Sequence, residues 1–262
     1  MLRALYSAAT GATSQQFHMD TIANNVANVN TTGYKKVRAE FQDLLNQTLS
    51  SPGAVGSQGT TDPIGLQVGL GVKVSGTQRD FITGPMMQTV NSLDVAIQGD
   101  GFFQVQLDNG STAYTRDGSF KRDANGQIVT SDGYLLIPNM SVPADTAEIL
   151  INPNGILSIR NNQGNIQEVG QLQLARFANP AGLEAQGNNL YLNTPASGNP
   201  VVGVAGQGEF GKTRLAQGFL EGSNVQIVEE LIGLITAQRA FEANSNVMKS
   251  GDKMLQTVNN IV

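Results

Sequence analysis

The stretch from Met19 to Tyr34, MDTIANNVANVNTTGY, decides how the chain is read. Its apolar residues keep a helical rhythm, and Gly33 stands where a left-handed, helix-ending residue belongs. Its polar positions carry asparagine and threonine where a helix facing water usually carries lysine and glutamate. An uncharged face suits a helix surrounded by other helices, because a lone charge is costly to bury there. The whole chain shares this bias. Asn and Gln number 46, against 37 for Asp, Glu, Lys and Arg together, and charged residues are 14% of the chain, where soluble proteins average about 25%. Such a surface lets copies pack side by side without burying many ions.

Working toward the N-terminus, Leu5, Ala12, Met19 and Val26 stand seven apart, with Ala8, Ile22 and Val29 three places after their partners. At the other end of the chain Ile227, Leu234, Phe241, Met248, Leu255 and Val262 repeat at the same interval, thickened by Leu231, Ile235 and Val258. These are narrow seams of the coiled-coil kind. Ser223-Asn224-Val225-Gln226 offers a capping-box start for the second helix. Long helices with thin seams are marginal alone in water. The reading is that they pair with each other and with copies from neighbouring molecules. The plainer alternative has two terminal helices covering an open sheet face.

Between the ends the texture changes. From about Gly65 to Gly222, short β-favouring runs alternate with the turn pairs Asn109-Gly110, Asn125-Gly126, Asp132-Gly133 and Asn154-Gly155. The segment 46–71 holds six glycines and two prolines and is expected to be an extended loop without regular structure. The predicted fold class is therefore α+β: long N- and C-terminal helices pairing as a coiled coil, with an all-β central body of hairpin-connected strands. The expected boundaries are an N-terminal helix over 1–33, the Gly/Pro-rich loop and a β segment over 34–99, a central β domain over 100–199, a return β segment over 200–222 and a C-terminal helix over 223–262.

Little in the chain points to chemistry. Gly206-Gln207-Gly208-Glu209-Phe210-Gly211-Lys212-Thr213 matches the phosphate-cradling pattern GxxxxGK[ST]. That loop must open directly into a helix, and Gly218 and Gly222 interrupt the residues beyond Thr213. His18 is the only histidine, and it does not share a helix face with Asp20. Asp100, Asp108, Asp117, Asp123 and Asp132 lie beside glycines or in turn-like stretches, where Asp serves the backbone. The absence of cysteine removes disulfides and thiolate chemistry. A net charge of −5 argues against nucleic acid as a partner, and Lys35, Lys36 and Arg38 read as a small solvated basic cluster. The N-terminus lacks the apolar core of a secretory signal. No catalytic residue, metal site, cofactor or small-molecule substrate is expected.

The quoted stretch, extended to MDTIANNVANVNTTGYKK, resembles the N-terminal signature of the bacterial flagellar rod and hook family. The segment LAQGFLEGSNVQIVEELIGLITAQRAFEANSNVMKSGDKMLQ resembles the second signature of that family, and LDVAIQGDGFFQV with AYTRDGSF resembles its central β domain. The resemblance covers essentially the whole chain. It implies a non-enzymatic subunit of a hollow helical filament, with terminal helices forming an inner tube and β domains outside. The self-assembly seam would be Leu5, Ala12, Met19, Ile22, Val26, Val29, Ile227, Leu231, Leu234, Phe241, Met248 and Leu255. The Gly/Pro-rich segment, with Pro52, Gly53, Pro63 and Gly65, is similar to one characteristic of distal-rod members and would be a rod-specific loop. Implied partners are further copies of the chain, proximal rod and hook proteins, the flagellar P and L ring proteins and the flagellar export apparatus. The implied place is the basal body, with the rod spanning the periplasm. Proximal rod or hook membership is the nearest alternative.

Overall fold

The computed structural model describes residues 2–51, 64–143 and 145–261. Pro52, Gly53, Pro63 and Val262 lie outside the described residues. The chain forms two compact units, one gathering 1–26, 37–78 and 226–262, the other 27–36 and 79–225.

The first unit contains both long helices. α1 spans Leu2–Ala27 and α2 spans Ile227–Ile261. Neither contains proline, and the hydroxyls of Thr10, Thr13 and Thr21 donate back to the carbonyls of Ser7, Ala9 and Phe17. Each hydroxyl thus finds its acceptor within its own helix. α1 stops at Ala27 rather than at Gly33, because the chain turns at Asn28 and the Thr31 amide donates to the Asn28 carbonyl. α2 opens with Glu229 and Glu230 at its positive end. Ser223 sits outside it and accepts from the Val225 amide at 3.2 Å, so the expected capping box does not form.

The same unit holds two short strand pairs, the second of them antiparallel. Val37–Asp43 pairs with Val72–Arg79, and Gln47–Ser50 pairs with Leu66–Val68. The second pair corrects the expectation that 46–71 lacks regular structure. Alternating positions around Thr48 and Gln67 satisfy each other's backbone groups, which glycine content alone does not forbid.

The second unit is almost entirely antiparallel β. Phe102–Gln106 lies at its centre, paired with Thr112–Thr115, Leu135–Ile137 and Gln173–Arg176. Successive residues of a strand point to opposite faces, so the adjacent pair Phe102 and Phe103 feeds two clusters. Phe103 is fully buried with Ile97, Val105, Leu136, Leu157 and Leu174, and meets Phe120 edge to face. Phe102 packs with Tyr114, Phe177, Leu183 and Tyr191 on the other side. All four expected turns close hairpins, and Gly110, Gly126, Gly133 and Gly155 carry φ of +81°, +82°, +92° and +85°. The protein thus has two terminal helices and a mostly β body.

Phe103→Ala would empty the central contact of this core. The expected loss is about 3–5 kcal/mol of stability, measurable as a lowered urea midpoint with unchanged helix content.

Candidate self-assembly site

Within the first unit the two helices run antiparallel. Leu5 lies against Gly251, Gly11 against Asn244, and Ile22 against Gly233. A Cβ built on Gly11 would stand 2.9 Å from Asn244 Nδ2, so these glycines permit close approach.

The row of α2 that faces inward is Glu230, Ala237 and Gly251, all buried, with Asn244 half-buried. It keeps the seven-residue interval, offset from the apolar row. Of the predicted seam, Ala12 and Ile22 are buried. Leu5, Met19, Val26, Leu234, Phe241, Met248 and Leu255 are half-buried. Ile227 and Leu231 are exposed, each at 47%. Val29 is half-buried beyond the end of α1, and Gly65 precedes the strand Leu66–Val68.

Asn25 explains why the quoted signature carries an amide here. Its side chain donates to the Val37 carbonyl at 2.8 Å and accepts from the Val37 amide at 2.9 Å, as a neighbouring strand would. It also donates to Glu230 Oε2 at 3.1 Å. Asn25 is 1% and Glu230 4% exposed. Glu230 is absent from the predicted seam. Its signal is a carboxylate placed among apolar residues at a heptad-related position.

In the second unit the rest of the N-terminal signature meets the segment 219–225. Gly33 has φ +68°, and a Cβ there would lie 2.7 Å from the Asp117 nitrogen, so glycine alone fits. Its amide donates to the Glu221 carbonyl at 2.8 Å. Lys35 Nζ donates to Glu221 Oε1 at 2.6 Å and to the Ile82 carbonyl at 2.7 Å. The Gly84 amide donates to the same Glu221 oxygen. Arg116 Nη1 faces Glu221 Oε2 at 3.4 Å as an ion pair, without the alignment of a hydrogen bond, and Nη2 donates to the Gly99 carbonyl. Lys36 N donates to Asn224 Oδ1 at 2.7 Å. Lys35 and Glu221 side chains are wholly buried. This corrects the reading of Lys35 as part of a solvated cluster. Burial pushes its ammonium below the ordinary value, with the Glu221 carboxylate pulling it back. Burial likewise lowers Arg116, again opposed by Glu221.

The other candidates have structural surroundings, and Asp100 Oδ2 accepts from Arg176 at 3.3 Å on the surface. After Thr213 comes the strand Arg214–Gln217, not a helix, and the Thr213 hydroxyl donates to the Asp100 carbonyl at 3.0 Å. The 206–213 loop thus lacks the helix end that a phosphate site requires. Asp123 accepts from the amides of Asn125 and Gln127, and Asp117 from that of Ser119. His18 lies beside the Phe41 ring. Among the described residues, no group of three His, Cys, Asp or Glu is placed to hold a metal.

Comparison with known proteins gives this arrangement a family. The chain is 48% identical to the flagellar basal-body rod protein FlgG of Borreliella burgdorferi over 100% of its own length and 99% of that protein. The chain belongs to the flagellar basal-body rod protein family. It is also 47% identical to FlgG of Agrobacterium fabrum over 98% of each chain. The corresponding protein of Bacillus subtilis is 39% identical over 100% of this chain and 99% of the relative. Family models agree. Residues 5–35 match the flagella basal body rod protein model, 96–159 the flagellar hook protein FlgE/F/G D1 domain, and 216–261 the flagellar basal body rod FlgEFG protein C-terminal model. The two terminal matches contain Asn25, Gly33 and Lys35 on one side and Glu221 and Glu230 on the other. Family membership places the protein in the basal-body rod as a structural component.

Removing Glu221 would leave two buried cations unpaired, whereas removing Lys35 leaves Arg116 to neutralise the carboxylate. Glu221→Ala is expected to cost about 3–5 kcal/mol, and Lys35→Met distinctly less. Urea unfolding followed by intrinsic tyrosine fluorescence checks that order.

Proposed function

We propose that the protein is a distal-rod subunit that assembles into a hollow, straight and stiff helical shaft, carrying torque from the flagellar motor to the hook. The carrying observation is the exposed apolar row at the start of α2. Ile227, Val228, Leu231, Ile232 and Ile235 are all at least 47% exposed, although α2 already packs against α1 through another row. An apolar stripe left over after intramolecular pairing fits a heterologous contact repeated from copy to copy, which generates a filament when it does not close. The predicted seam then has two parts. Ala12, Ile22 and the half-buried positions join α1 to α2 in coiled-coil fashion, while Ile227 and Leu231 meet a neighbour.

The Gly/Pro-rich segment with Pro52, Gly53, Pro63 and Gly65 supports the distal rod over a proximal rod or hook subunit, and in this reading it lies across neighbouring copies. Proximal rod proteins below, hook protein above and the P and L rings around the shaft are its partners, and the flagellar export apparatus delivers it to the periplasm. The role is structural and calls for no catalysis.

Leu231→Asp places a charge on the exposed row. It is expected to leave the unfolding midpoint of the isolated chain within about 0.5 kcal/mol of the parent while abolishing incorporation into purified basal bodies and motility in soft agar. Retained motility would refute the proposed contact.

A further inference from the structure

Rows that repeat every seventh residue do not by themselves choose an axial register, since a slip by one heptad aligns them again. In this chain α1 and α2 are aligned so that the numbers of facing residues sum to about 255: Asn25 with Glu230, Gly11 with Asn244, and Ile22 with Gly233. A slip by seven in one direction sets Glu230 opposite Thr32, beyond the end of α1, and Gly11 opposite Gly251. A slip the other way sets Glu230 opposite His18 and Gly11 opposite Ala237.

We propose that Glu230, held by the Asn25 amide, is the residue that fixes the axial register of the helix pair. In the observed alignment its carboxylate, 4% exposed, accepts from Asn25 Nδ2, and Asn25 is itself held on both sides by the Val37 backbone. The donor is therefore fixed in place before Glu230 reaches it. In either slipped alignment the carboxylate loses this preset donor, and a lost hydrogen bond to a charged group costs more than shifting apolar side chains past one another. Gly251 works in the same sense. A Cβ at that position would stand on Leu5 Cδ2, so the bulk of Leu5 is accommodated where α2 offers a glycine. The polar pair thus acts as a single buried asparagine does in a coiled coil, selecting one alignment among several of similar apolar burial.

The consequence rests on the proposed rod function. A slip of one heptad would move the exposed row of Ile227, Leu231 and Ile235 along α1 by about 10 Å, out of step with the neighbouring copy.

The chain has no cysteine of its own, so engineered pairs report the register directly. Gly11→Cys with Asn244→Cys marks the observed alignment, and His18→Cys with Asn244→Cys or Gly11→Cys with Ala237→Cys marks the two slips. Each pair is introduced into full-length protein, oxidised in the cell-envelope fraction and read by immunoblot as the ratio of observed to slipped cross-link. With Glu230 present the ratio is expected to exceed about ten, the size of losing one hydrogen bond to a charged group. Glu230→Gln, which can still accept from Asn25, should preserve it. Glu230→Met, similar in length and helix propensity, should bring it near one. An unchanged ratio in Glu230→Met overturns the proposal, as does a slipped cross-link of comparable yield, or no cross-link in any pair, in the parent. A preserved ratio in protein that never enters the basal-body fraction would instead refute the rod reading alone.

Discussion

A carboxylate removed from water is tolerated only where donors meet its oxygens, and the protein arranges this twice with residues far apart in sequence. Glu221 is met by Lys35, the Gly84 amide and Arg116. Glu230 is met by Asn25. In both cases one end of the chain supplies the acid and the other supplies the donor. Folding of either joint therefore requires that the two termini come together, which short-range propensity cannot bring about.

These two joints give physical content to the terminal signatures. Gly33 allows the backbone to pass against Arg116 and Asp117 where a side chain would collide, Asn25 stands in for a strand partner, and Asn224 receives the Lys36 amide while donating to the Asp80 carbonyl. The uncharged face that the quoted stretch presents is thus two things at once. Some of its amides are structural connectors, and the remainder give a helix surface cheap to bury against other helices.

Much of this was legible in the residues. Asn-Gly and Asp-Gly pairs mark hairpins because glycine takes up positive φ freely, and all four marked turns close. The run from Phe102 read as a strand, but the burial of both its faces, Phe103 in one cluster and Phe102 in the other, appears only in the structure. The heptad rhythm announced two helices. The inward row was not legible, because Glu230, Asn244 and Gly251 look like surface residues until a partner helix approaches within glycine distance. Lys35 misled for the same reason. A lysine beside another lysine reads as solvated unless its carboxylate, almost two hundred residues on, is already in view. The ribbon formed by Gln47–Ser50 and Leu66–Val68 was hidden by the composition of the segment between them.

The division of the chain carries a mechanical corollary. Passing from end to end, the backbone changes unit after residues 26, 36, 78 and 225. A tether of one strand lets two bodies swivel freely and concentrates any pull on a single peptide. With four crossings, breaking the chain at any one of them leaves the two units joined through the other three. Covalent connectivity thus gives the pair a redundancy that a single linker lacks.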